Sequence, residues 1–93
     1  MMFRELIETL GKWEPEYDLG RALEHLSTTV RIGGTIFWCG NGGSWSQAQH
    51  LSAELTGSME GDDAPVRSVC LGAEGAFVTA WANDATYEDI FAR

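Results

Sequence analysis

Basic residues are scarce in this sequence: six Lys and Arg stand against fourteen Asp and Glu, a net charge of −8. That deficit argues against nucleic acid as a partner, because phosphate backbones reward a basic face, and it disfavours an anionic membrane surface. A small phosphorylated ligand is still allowed, since a few backbone N–H groups can hold a phosphate without net positive charge. Cysteine is equally sparse. Cys39 and Cys70 are the only two, too few for a disulfide framework or a zinc knuckle; each lies in an apolar run, where a free thiol is expected to behave as a small buried hydrophobe. No apolar run approaches the length of a transmembrane helix, so no membrane partner is expected. The opening "MMFRELIETLGKWEPEY" has early acids and no continuous apolar core, and does not read as a secretory signal. A cytoplasmic protein is the expectation.

What is present is globular in character. The composition is 44% hydrophobic and 22% charged, with Trp13, Trp38, Trp45 and Trp81 among its ten aromatics. Ninety-three residues make one domain at most. Phe3, Leu6, Ile7 and Leu10 recur at helical spacing until Gly11. Leu19, Ala22, Leu23, Leu26 and Val30 mark a second amphipathic helix, with acids at its start and Arg31 at its end before Gly33-Gly34. "TIFWC" (35–39) predicts a buried strand. Ser44 is expected to cap a helix running to about Thr56, closed by Gly57. "SMEGDDAP" (58–65) predicts an acidic surface loop, and "VRSVCL" (66–71) a second strand. Ala73, Ala76, Phe77, Ala80 and Trp81 share a helical face broken at Asn83-Asp84, and a last helix is expected from Thr86 with Tyr87, Ile90 and Phe91 inward. Strand, helix and strand in that order form a βαβ unit with parallel strands. The fold expected is α/β: N-terminal helices over 1–34, then a βαβ portion over 35–93.

The residues with chemical potential sit at the first strand–helix junction. In an open α/β sheet, ligands bind beyond the carboxyl ends of the strands, where "CGNGGS" lies. Gly40, Gly42 and Gly43 can let a ligand approach the main chain, Asn41 and Ser44 offer an amide and a hydroxyl, and the helix start supplies N–H groups. The same pattern also serves an ordinary tight turn; it is neither a dinucleotide fingerprint nor a P-loop. On the helix behind it, Ala48, Leu51 and Leu55 occupy one sector, expected to pack on the sheet. Gln47, His50 and Glu54 form a polar stripe beside it. His50 and Glu54, one turn apart, can share a divalent metal, can provide a base with a positioned neighbour, or can simply pair along the helix. The expectation is that this pair and the glycine corner face one ligand-sized hollow.

"GNGGSWSQAQHLSAELTG", followed by "TAWANDATYEDIFAR", resembles the phosphoheptose isomerases, sugar-isomerase (SIS) fold enzymes that convert sedoheptulose 7-phosphate to D-glycero-D-manno-heptose 7-phosphate. The likeness runs from about Thr35 to Arg93. It implies a doubly wound parallel-sheet SIS domain of which this chain is the opening half. It implies that Glu54 is a catalytic acid/base moving a proton between C1 and C2 through an enediol. His50 and Glu54 would be two ligands of a zinc ion, Asn41, Gly42, Gly43 and Ser44 would line the substrate pocket, and Asp84 would contact the sugar. A sugar-phosphate substrate and a homo-oligomer, a tetramer in the family, are also implied.

Family members continue into a Ser/Thr-rich phosphate loop and a late helix bringing a Gln and a second catalytic His, and Ser58 stands here where an Arg commonly follows the "ELTG" string. The expectation is accordingly a truncated, partial SIS domain over 1–93. Trp45, bulky just inside the turn, is expected to serve packing. The alternative function is a non-catalytic binding module like the SIS-fold relatives that associate with the bacterial replication initiator. Those typically lack the glutamate of the H-x-x-x-E pair, so Glu54 favours the enzyme. Leu19, Leu23, Leu26 and Val30 could equally serve an oligomer interface.

Overall fold

The computed structural model describes residues 3–57 and 64–93. Helix α1 (Phe3–Lys12) and helix α2 (Pro15–Arg31) lead into strand β1 (Ile36–Trp38), helix α3 (Gly43–Gly57), strand β2 (Ser68–Cys70), helix α4 (Gly75–Asp84) and a 3₁₀ turn at Tyr87–Asp89. The strands are parallel neighbours, with Ile36 opposite Ser68, Phe37 opposite Val69 and Trp38 opposite Cys70. The βαβ reading is therefore correct. Residues 58–63 of the expected acidic loop lie outside the described residues; Ala64 and Pro65 are exposed.

Local chemistry accounts for the element ends. Pro15 opens α2 where its missing N–H costs nothing, Glu16 and Asp18 follow in the first turn, and Arg31 closes the last. Gly33, at φ +72°, turns the chain out of the helix, and Gly34 N–H donates to the Thr29 carbonyl at 2.8 Å. Helix α1 continues through Gly11 to Lys12, so that glycine does not stop it. The last expected helix is only a 3₁₀ turn. Thr86 Oγ1 accepts from Glu88 N–H at 3.3 Å, which favours the tighter turn over α-helix.

The core is where α3 lies on β1 and β2. Ala48 and Ser52 are its buried residues on α3, with Ile36 on β1 and Ile90 near the C-terminus. This corrects the expected sheet-facing sector. Leu51 is 45% exposed, and Ser52 takes the inner place. Trp38 Nε1 donates to Ser68 Oγ at 2.8 Å, and Ser68 Oγ donates to Ser52 Oγ at 3.3 Å, so a hydrogen-bonded chain crosses both strands to the helix. Small residues at Ala48 and Ser52 let α3 approach closely, and the buried hydroxyls satisfy one another. Cys39 is exposed and Cys70 half-buried, so the buried-thiol expectation fails for Cys39.

Much apolar surface stays uncovered. The opposite sheet face shows Phe37 at 62% and Val69 at 44% exposure. Helix α2 has no buried residue, and Leu19 and Leu23 on it are exposed. The accessible surface is 7557 Å², where about 5,300 Å² is expected for this mass. The radius of gyration is 16.4 Å, against about 12 Å for a compact chain of this length. Among the described residues no helix is long and apolar enough to cross a membrane.

Candidate functional site

Both strands end at one corner. Beyond β1 come Cys39 and Gly40, and beyond β2 come Leu71 and Gly72; between them lies a hollow of about 230 Å³. Asn41, Gly42 and Trp45 wall one side, and Gly72, Tyr87 and Phe91 the other. Glycine is favoured at three places, one of them Gly72, with φ +87° and a Cβ position 3.1 Å from Trp45 Nε1. A Cβ on Gly40 would sit 2.7 Å from the Ser44 carbonyl carbon, so the helix start could not come this close to the strand end. Gly42 has φ +58°, the left-handed region that side chains with a Cβ disfavour.

Trp45 does more than fill space. Its indole Nε1 donates to the Leu71 carbonyl at 3.1 Å, tying α3 to the end of β2 while the ring lines the hollow. Across from it, the Tyr87 hydroxyl donates to Asn41 Oδ1. The expected set of ligand contacts divides here. Asn41 and Gly42 line the hollow; Gly43, Ser44 and Asp84 are not among its walls. Ser44 is inside the first turn of α3 rather than its cap, and its N–H is already bonded to the Asn41 carbonyl at 3.0 Å. Asp84 is exposed at the end of α4, and its Oδ1 accepts from Asn83 Nδ2 at 3.0 Å. Tyr87 and Trp45 are the wall residues that reasoning on motifs passed over. The signal for both was chemical: each is a large aromatic with a polar tip, beside a glycine or an "AND" turn.

His50 and Glu54 lie elsewhere. His50 Nε2 and Glu54 Oε1 are 3.1 Å apart, so the pair is made, but it lines a second hollow of about 670 Å³. Leu26, Ser27 and Val30 of α2, Ile36 and Trp38 of β1, and Leu51 and Leu55 of α3 complete that hollow. The expectation of one shared hollow is overturned within this chain. The reason is the helical period: at about 100° per residue, Glu54 falls roughly 180° around α3 from Trp45 and His50 roughly 140°. With Trp45 committed to the glycine corner, the pair must look the other way.

The pair is not there for stability. The His50 side chain is 75% exposed and that of Glu54 33%, and such an i,i+4 contact contributes only a few tenths of a kcal/mol. Its setting is chemically distinctive: a carboxylate and an imidazole at the edge of a largely apolar wall, where covering would exclude water. Among the described residues no group of three or more His, Cys, Asp or Glu is gathered.

Known proteins resemble this chain. It is 44% identical over 70 residues to the phosphoheptose isomerase of Mycobacterium bovis (strain BCG / Pasteur 1173P2), covering 75% of this chain and 36% of that protein. It is 39% identical over 77 residues to the phosphoheptose isomerase of Crocosphaera subtropica, covering 78% and 39%. With that of Helicobacter pylori (strain P12) it shares 41% over 75 residues, covering 81% and 39%. The matched part thus spans less than two fifths of the length of these relatives. No protein-family model matches the chain.

Proposed function

We propose, for a chain that belongs by sequence with the phosphoheptose isomerases, that it carries part of the machinery for aldose–ketose isomerisation of a sugar phosphate, sedoheptulose 7-phosphate. The observation that carries this is the His50–Glu54 pair, formed at 3.1 Å on a largely apolar wall. In the reaction Glu54 takes a proton from C1 of the ketose, giving an enediolate. A proton passes between the oxygens on C1 and C2, and Glu54 returns a proton to C2 to leave the aldose. His50, one turn away, orients the carboxylate and can donate to an enediol oxygen. The substrate contacts proposed are Asn41 and Gly42 at the glycine corner. Gly43, Ser44 and Asp84 belong to the same reading through the family resemblance alone.

Because Glu54 and the glycine corner lie on different sides of α3, one chain does not offer both to one substrate. We therefore propose a homo-oligomer in which the Glu54 wall of one copy closes over the corner of another. The uncovered Leu19, Leu23 and Leu51 and the excess accessible surface support association, and closure would dry the site for proton transfer. The SIS domain, a doubly wound sheet extending this βαβ unit, is the architecture proposed for the whole. The named relatives give no support to the non-catalytic module.

Zinc is proposed only as a shared ion. The separation of His50 Nε2 and Glu54 Oε1 is close to the edge of a zinc tetrahedron, about 3.3 Å for bonds of about 2.0 Å. These two would hold it, but they make half of a four-ligand set. Bound there, the metal would supply Lewis-acid polarisation of substrate oxygens. The test of the function is deuterium exchange: incubation with sedoheptulose 7-phosphate in heavy water should label C1 of the ketose and C2 of the aldose. No label above a protein-free control would overturn the reading.

A further inference from the structure

Asn41 is an ambiguous ligand group. Its side-chain amide offers an acceptor on one atom and two donors on the other, and rotation by half a turn exchanges them. In this structure the amide has a partner forty-six positions away: the Tyr87 hydroxyl donates to Asn41 Oδ1, and in that orientation Nδ2 lies on the other side of the amide. Asn41 and Tyr87 both line the glycine-corner hollow. Among the described residues no protein acceptor engages Asn41 Nδ2.

Tyr87 is itself held. It begins the 3₁₀ turn, which Thr86 caps through Glu88 N–H. Two residues on, Asp89 Oδ1 accepts from Trp81 Nε1 at 2.7 Å, fastening the turn to α4. Ile90, the next residue, is 6% exposed and anchors the turn in the core, and the Arg93 guanidinium lies 4.7 Å from the Trp81 ring centroid. A phenol on such a base can fix its partner, where a tyrosine on a loose loop could not.

We infer that Tyr87 is a positioning residue: it sets the Asn41 amide with its NH2 toward the hollow, as a donor for a hydroxyl or carbonyl oxygen of a sugar phosphate. Tyr87 does not react with substrate; it selects which face of Asn41 the ligand meets. The ligand class rests on the proposed isomerase function, while the Tyr87–Asn41 contact does not. The contact is partly exposed to water, so its effect lies in preorganisation, with an expected change in affinity of roughly three- to tenfold.

The test uses the full chain, labelled with ¹⁵N, as wild type, Tyr87→Phe, Asn41→Ala and the double variant. Tyr87→Phe removes one oxygen and keeps the ring, and a backbone amide spectrum otherwise unchanged establishes that the fold is retained. The Asn41 side-chain NH2 signals, assigned by their loss in Asn41→Ala, should be ordered in wild type and mobile in Tyr87→Phe. Sedoheptulose 7-phosphate, titrated by calorimetry, should bind Tyr87→Phe roughly three- to tenfold more weakly. Adding Tyr87→Phe to Asn41→Ala should cost nothing more. Unchanged Asn41 signals overturn the inference, as does unchanged affinity or full additivity of the two substitutions. If Asn41 loosens but wild type binds no sugar phosphate, the positioning contact stands and the isomerase reading falls.

Discussion

Helix α3 serves two hollows of opposite character. At its N-terminal end the glycine corner is small, about 230 Å³, and built from tight local geometry: Gly40 against Ser44, Gly42 at positive φ, Trp45 bonded to Leu71. Along its middle the second hollow is about 670 Å³, lined largely by aliphatic side chains, with a single acid–base pair at its edge. The corner is shaped by the backbone and has hydrogen-bonding groups on its walls. The second hollow has an acid–base pair and, among the described residues, lies open. Binding geometry can be completed by a strand–helix turn alone, whereas a dry chamber for proton transfer needs another surface to close it.

Substitutions sharpen this contrast, and the largest expected effect is at Glu54. Glu54→Gln should lower deuterium exchange into sedoheptulose 7-phosphate by about 10²–10⁴-fold while the unfolding midpoint hardly moves. Retained exchange would remove Glu54 from the reaction. At the corner, Gly40→Ala must push Ser44 away and should cost about 1–3 kcal/mol in urea unfolding. A neutral result would show that the tight approach is not required. Gly42→Ala, strained only by its φ, should cost about 1 kcal/mol in the same measurement. On the uncovered wall, Leu51→Glu should shift sedimentation toward monomer without altering the far-ultraviolet spectrum; unchanged association would place the contact elsewhere. His50→Ala should be nearly silent in stability, within a few tenths of a kcal/mol, and a larger loss would mean the pair is structural.

The sequence made the alternation of elements legible because each signal was local. Acids at the start of α2, Gly33-Gly34 after it and a β-branched, aromatic "TIFWC" punctuate the chain where the strands and helices change. The parallel pairing followed from strand–helix–strand order. The rotation of α3 was harder to read. Its inner face is Ala48 and Ser52, small and partly polar, while the leucines at 51 and 55 look to the second hollow. Hydrophobicity alone favoured the leucines, but the hydrogen bond of Ser52 with Ser68, which in turn accepts from Trp38, won the sheet. That rotation separated Glu54 from the corner. The Tyr87–Asn41 contact was illegible for another reason: it joins residues forty-six apart, and no local pattern encodes such a meeting.

The most direct measurement is complementation by mixing. Glu54→Gln keeps its glycine corner, and Asn41→Ala keeps its acid–base pair; each alone should exchange little or no deuterium into sedoheptulose 7-phosphate. If the wall of one copy closes over the corner of another, mixing the two variants should restore exchange to a substantial fraction of wild type. A mixture as inert as its parents, under conditions where sedimentation shows mixed oligomers, would contradict the account.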